Sequence, residues 1–481
     1  MKKIKSIVAL VLVLAMSLTM WGCGSKGGSD TSDGGAKTDS EGKTETAEVN
    51  ATDDGTVLNI YCWNEEFQSR FKDYYPGYTE DSSDSSKGTL KNDLGEFTVN
   101  WVITPSKDNA YQNKLDEVLP SNADASADDK VDIFLIEADY ALKYVNSATT
   151  LDVNAIGLTD EDTAQMYPYT KTVCTNTDDG TLRGVSWQAT PGLFAYRRSI
   201  AKDVLGTDDP AEVQKSLAGW DEFDATAAKA KEKGYFMLSG YDDSYRTFSN
   251  NVSKKWLSDD NVIQIDDALW QWVDQTKTYT DKGYNNGTSL WSDDWAKDQS
   301  EAGKVFGFFY STWGINFTLL GNSLADAKGE EKVGNGIYGD WAVCEGPAPY
   351  YWGGTWICAA AGTDNKSLVA DIMKVLTCDA EVATKITNDT QDYTNNKEAM
   401  DAIANSDYTS DFLGGQNHIA LFAAAADKIN ISNMGPDDQG LNESFQGAMK
   451  DYFTGNATKD EAEAAFYKAA VEKYPDITAP K

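Results

Sequence analysis

The chain of 481 residues carries 76 acidic and 42 basic side chains and a single histidine, for a formal charge of −34 and a pI near 4.3. It lacks the clustered positive charge that displaces counterions from nucleic acid, and His418 alone cannot build a multi-histidine metal centre. The length provides for two or three domains with ample core, and 14 Trp and 24 Tyr are many for so polar a chain.

Lys2, Lys3 and Lys5 precede an apolar stretch from Ile7 to Trp21, which is short of the roughly 20 residues that span a bilayer. This pattern predicts a secretory signal over residues 1–22. The junction Met20-Trp21-Gly22-Cys23 resembles a bacterial lipoprotein processing site, which implies that Cys23 becomes the lipidated first residue. Met20 stands where Leu is usual and Trp21 where a small residue is usual; ordinary cleavage with a free Cys23 is the alternative. Loss of the three lysines takes the charge from −34 to −37. Residues 23–54 then read as a flexible tether, almost without large apolar side chains. Gly42-Lys43-Thr44 imitates the end of a phosphate-binding loop, but Lys37 occupies the position that needs glycine. No later stretch is apolar enough to cross a membrane.

Val57 to Cys62 reads as a buried strand ending at Trp63-Asn64-Glu65-Glu66, with a helix to Tyr74 stopped by Pro76-Gly77. Phe97 to Ile103 alternates as a strand, and Asn109 to Leu119 has helical spacing. Val131 to Ile136 is a continuous apolar run of the kind found in buried parallel strands, and it leads into Glu137-Ala138-Asp139-Tyr140. Ligands of open α/β sheets collect at such strand ends, which places Asp139 for function; the alternative is that it caps the next helix. Trp220 to Gly234 reads as a helix with acidic residues first and lysines last, as the helix dipole favours. Asn365 to Leu376 reads as a helix with one apolar face, and Thr458 with Glu461 fits a capping box. The chain reads as α/β.

The aromatic residues gather at predicted strand ends and turns: Trp63, Trp187-Gln188, Tyr310 to Trp313, and Tyr350 to Trp356 with its glycines. Rings of this kind stack on the C–H faces of neutral sugars while Asp, Glu, Asn and Gln take the hydroxyls; the alternative for each ring is a core anchor. After Cys23, five cysteines remain. Their odd number forbids full pairing, none form C-x-x-C, and buried free thiols are expected, although export leaves room for one or two disulfides. Asp389, Asp392, Asn395 and Glu398 do not have the spacing of a calcium loop; they read as a polar loop between lobes. No metal site is expected, and His418 is expected to be structural.

The ordered segments resemble extracellular solute-binding proteins of the sugar-binding type, relatives of maltose-binding protein, over about residues 55–481. LNIYCWNEE (58–66) resembles the opening strand and its ligand-binding turn, and DIFLIEADY (132–140) the strand that ends on a sugar-binding acid. GVSWQATPGLFAYRR (184–198) resembles the segment with Pro-Gly before a Tyr-Arg strand. GWDEF (219–223) resembles the helix start T-W-[DE]-E-[FL], with Gly219 for Thr. GKVFGFFYSTW (303–313) resembles the G-K-x-A-M…W strand, with Phe306 where Ala is common. Residues 346–376 resemble the returning strand and its helix.

The resemblance implies a two-lobed periplasmic-binding-protein fold, type II-like, with discontinuous α/β lobes joined by a hinge. Lobe 1 would hold 55–165 and 350–400, lobe 2 170–345 and 405–481. It implies a monomeric, non-enzymatic, lipid-anchored receptor on the outer face of the cytoplasmic membrane, needing no cofactor. The receptor would pass a sugar or oligosaccharide to two permease subunits driven by a cytoplasmic ATPase. The implied ligand-binding residues are Trp63, Asn64, Glu65, Asp139, Trp187, Gln188 and Trp313, with Tyr310, Trp352 and Gly353 as further candidates. Glu65 is not separated from Glu66, nor Asp139 from Glu137. The alternatives are a surface glycoside hydrolase, since two carboxylates suffice for that chemistry, and a receptor for a peptide or polyamine held by cation–π attraction.

Overall fold

The computed structural model describes residues 50–481; the signal segment, Cys23 and nearly all of the tether lie outside them. Twelve strands are present among the described residues: β1 Val57–Cys62, β2 Tyr78–Asp81, β3 Asp84–Asn92, β4 Gly95–Ile103, β5 Ile133–Glu137, β6 Val185–Ser186, β7 Gly192–Arg197, β8 Leu238–Gly240, β9 Asn285–Thr288, β10 Gly307–Ser311, β11 Trp341–Cys344 and β12 Thr355–Ala359.

Seven strands form the sheet of the first lobe, in the order β2-β3-β4-β1-β5-β12-β6. The apolar runs of β1 and β5 lie parallel at its centre, with Ile60 opposite Ile133, and β1 also pairs in parallel with β4. Both faces of these strands are covered, which is why their sequences run apolar rather than alternating. The helix Lys366–Thr377 covers one face with Leu368, Val369, Ile372, Met373 and Leu376 buried, as its spacing predicts. The edge hairpin β2–β3 has no counterpart in the sequence reading. Its second strand, DSSKGTLKN, buries only Gly88 and Leu90, so it carries little apolar signal.

The second lobe has β7 between antiparallel β10 and β11, a parallel β8–β9 pair, and a helical layer. Trp272, Phe445, Phe453 and Phe466 fill the core between the helices Asp267–Lys282, Asp438–Phe453 and Lys459–Lys473. The capping box is formed: the Thr458 N–H donates to Glu461 Oε2 at 2.8 Å and the Glu461 N–H to Thr458 Oγ1 at 3.2 Å. The helix predicted from Trp220 runs to Glu232, and Gly234 follows with φ +84°.

Three segments cross between the lobes and pair with one another. Gln188 bridges Thr394 and Pro191 bridges Tyr351. The Ala189 N–H donates to the Tyr393 carbonyl at 3.1 Å, and the Trp352 N–H to the Thr190 carbonyl at 3.1 Å. The first crossing therefore falls near residues 187–191 rather than the expected 165–170. The reason is that β6 pairs with β12 in the first sheet, Trp356 opposite Ser186, and holds the chain in the first lobe until then. The polar loop expected around Asp392 and Asn395 is the third crossing. Among the described residues no helix is long and apolar enough to cross a membrane.

Candidate functional site

The carboxyl ends of β1 and β5 are fixed by one side chain. The hydroxyl of Tyr111, on the helix Ala110–Val118, shares its one proton between the carbonyls of Leu135 at 2.7 Å and Tyr61 at 2.9 Å. Its ring takes the edge of Trp63, with centroids 5.5 Å apart, and Trp63 remains half-exposed beyond β1. Asn64 Oδ1 accepts the Glu66 N–H at 3.0 Å and opens the next helix. Glu65 is exposed at that helix start. Glu66 turns toward the crossings, where Gln188 Nε2 donates to it at 2.7 Å, and burial pushes its carboxyl up to about 6.

At the end of β5 the two acids have different partners. Glu137 Oε2 accepts the Asp139 N–H at 2.8 Å. Burial, then the neighbouring Asp139 charge, holds the Glu137 carboxyl well above the usual range. Asp139 reaches across to the second lobe and forms a bidentate pair with Arg246, at 2.7 and 2.5 Å. The Arg246 guanidinium lies 5.5 Å from the ring centre of Trp352, a cation–π geometry. Beside this pair a cavity opens, lined by Ala138 and Asp139 from one lobe and by Asn250, Tyr351, Asn433 and Asp438 from the crossing and the second lobe.

Trp352 is the centre of an aromatic cluster. Tyr310 lies parallel to it at 6.1 Å, Trp313 meets it edge-on at 5.3 Å, and Trp291 packs on both tryptophans. Trp313 Nε1 donates to the Trp352 carbonyl at 2.9 Å. Gly353 has φ +71°, and a Cβ there would stand 3.1 Å from Trp313 Nε1, so glycine permits both the turn and the approach of the indole. Trp313 and Trp291 stay half-exposed, whereas Tyr310 and Trp352 are buried. Tyr310 is further held by donating to Gln299 Oε1 at 3.0 Å.

The structure thus brings Tyr310, Trp313, Trp352 and Gly353 together and joins them to Asp139 through Arg246. It sets Trp187 apart from that group, and it joins Gln188 to the group through Asp392, which also accepts from Thr312 next to Trp313. Trp187 is buried in the first-lobe core with its ring stacked 5.4 Å from Phe67. Gln188 is a crossing residue, its amide shared between Glu66 and Asp392. Arg246 and Trp291 were missed by sequence reasoning. Arg246 is one of only five arginines in the chain, and that rarity was its one visible signal. Trp291 has φ +66°, an unusual conformation for a bulky residue that no sequence pattern announces.

A family model described as bacterial extracellular solute-binding protein matches residues 89–412, about two thirds of the chain. The chain belongs to this family. The solute-binding protein is also similar to solved structures that share its two-lobed fold. One, an extracellular solute-binding protein family 1 member, is 18% identical with a TM-score of 0.67, over 86% of this chain and all of that one. The ABC transporter associated binding protein from B. animalis subsp. lactis Bl-04, in complex with beta-1,6-galactobiose, is 17% identical with a TM-score of 0.62, over 89% of this chain and all of that one. The sugar-binding protein MalE from Xanthomonas citri is 14% identical with a TM-score of 0.62, over 87% and 96%. No curated protein matches this solute-binding protein in sequence.

Proposed function

We propose that the protein is the substrate-binding component of an ABC importer and that it captures a neutral sugar or oligosaccharide between its lobes. The observation that carries the reading is the aromatic cluster around Trp352, linked through Arg246 to Asp139 on the opposite lobe. Half-exposed Trp313, Trp291 and Trp63 offer faces for sugar C–H groups. Asp139, Arg246, Asn250 and Asn433 around the adjoining cavity offer acceptors and donors for hydroxyls. A site of that kind rejects analogues that leave its polar groups unpaired. The structurally similar proteins crystallised with sugars support the ligand class.

Binding would hold the lobes closed about the three crossings, a hinge motion familiar in periplasmic binding proteins. The ligand can favour closure only by the extra contacts it makes in the closed state, and a micromolar site requires about −8 kcal/mol in all. The protein would capture and release without turnover. Cys23 would carry the lipid anchor that keeps the receptor at the outer face of the membrane, beside its permease subunits.

A thermal-shift screen of sugars, polyamines and peptides tests the reading. A sugar that raises the melting temperature in a concentration-dependent way supports it, since a ligand that binds only the folded state stabilises it by mass action. A response to spermidine or peptides alone would refute it. Chromatography of the incubated oligosaccharide tests the non-enzymatic part: hydrolysis products would establish a glycoside hydrolase instead.

A further inference from the structure

Two buried sulfurs share one small space inside the first lobe. Cys174 ends the helix Pro168–Val173, Cys358 lies in β12, and Gly184 sits between them next to β6. The local pairing fixes this arrangement. The Arg183 N–H donates to the Cys174 carbonyl at 2.8 Å, and Ile357 opposite Val185 sets Gly184 beside Cys358. A Cβ placed on Gly184 would stand 3.0 Å from Cys174 Sγ and 2.9 Å from Cys358 Sγ. The two sulfurs are therefore no farther apart than those two distances laid end to end. Any side chain at Gly184 would wedge into the space they share. Burial pushes the Cys174 thiol up, and its hydrogen-bonded neighbour Cys358 adds to the effect. Two of the other thiols have oxygen neighbours instead: Cys344 Sγ faces the Phe194 carbonyl at 3.8 Å, and Cys378 Sγ faces Thr377 Oγ1 at 3.5 Å.

Among the described residues the five thiols stand unbonded, but the family is extracellular, and disulfides form and persist in oxidising compartments. We propose that Cys174 and Cys358 form a disulfide in the exported protein. Two S–H bonds break and one S–S bond forms. The two protons and two electrons pass to the disulfide of an extracytoplasmic thiol oxidoreductase, which leaves as a dithiol. The bond would lie wholly within the first lobe and leave the crossings free to bend. It would join the chain just before it departs for the second lobe to the strand on which it returns, closing a long loop that the unfolded chain would otherwise explore.

The test uses protein recovered from the surface of exporting cells, denatured and alkylated without reductant, then digested with trypsin and a Glu-specific protease. Cleavage after Glu345 separates Cys344 from Cys358. The expected result is a linked pair of peptides, 172–183 and 346–366, whose mass is two hydrogens below that of the two thiols. Cys62, Cys344 and Cys378 would be alkylated, and Cys174 and Cys358 would be alkylated only after reduction. Full alkylation of Cys174 and Cys358 without reductant would overturn the proposal, as would either of them linked to a different cysteine.

Discussion

Trp187 and Trp313 both follow strand-like segments and stand beside polar residues, yet the structure gives them different surroundings. Trp187 is buried against Phe67, and Trp313 is half-exposed against Trp352 and Trp291. Replacing a buried tryptophan by alanine removes its transfer energy and leaves a cavity. Trp187→Ala is therefore expected to cost about 3–5 kcal/mol of stability, read as a lower midpoint in denaturant. Ligand affinity of the remaining folded protein would be nearly unchanged. Composition and position alone could not separate these two residues, because burial depends on what packs from elsewhere in the chain. Phe67 supplies the wall for Trp187 from more than a hundred positions away. The same holds for Asp139: its place at a strand end was legible, but its partner Arg246 lies on another lobe. In the pair Glu65 and Glu66, Glu66 turns toward Gln188 and Glu65 stays exposed.

The elements most legible in the sequence were those whose apolar pattern is also their structural role. These were the central strands β1 and β5, the helix Lys366–Thr377 with its single buried face, and the capped helix after Thr458. The polar hairpin β2–β3 and the crossings were not, since their backbones are paired while their side chains carry no periodic signal. The crossings also hold strained backbone. Thr190 has φ +37° and Gln391 φ +61°, where a non-glycine residue costs roughly 1–2 kcal/mol. The crossing segment after Gln391 is tied to the aromatic site: Thr312 Oγ1 donates to Asp392 Oδ1 at 2.5 Å and Asn316 Nδ2 to the Gln391 carbonyl at 2.6 Å. These two residues flank Trp313, so a ligand seated there would pull on the crossing directly. Gln391→Gly removes the strain at a helix end where glycine is favoured. It is expected to raise stability by about 0.5–1 kcal/mol, seen as a higher denaturant midpoint with an unchanged slope. A lower midpoint would show that the Gln391 side chain contributes more than its backbone costs.

For the whole molecule, buried acids set the response to pH. Burial pushes Asp132 and Glu66 up to about 6 and Asp243 and Asp438 up to about 7, above the values near 4 of the unfolded chain. Each such group binds its proton more tightly when folded. Its contribution is present in full below the unfolded value and is lost as pH rises through the folded one. His418 acts oppositely: burial pushes it down to about 4, so its contribution is present above about 6.5 and falls away in acid. Four carboxylates outweigh one histidine, and protonation also relieves the self-repulsion of a chain at −34. The melting temperature is therefore expected to rise as pH falls from about 8 to about 5, as differential scanning calorimetry would show. A maximum at pH 8 would contradict the assignment of these buried acids.

The reading of the molecule as a sugar receptor rests on a cleft whose walls come from both lobes, and one titration addresses it most directly. Isothermal titration calorimetry of the sugar with the largest thermal shift, on the parent and on Trp313→Ala, measures capture and its site together. The expected result is a single site of about micromolar affinity. Trp313→Ala should weaken it at least tenfold, the equivalent of about 1.4 kcal/mol. Equal affinity in the parent and in Trp313→Ala would contradict the proposed site, and heat from polyamines or peptides but from no sugar would contradict the function.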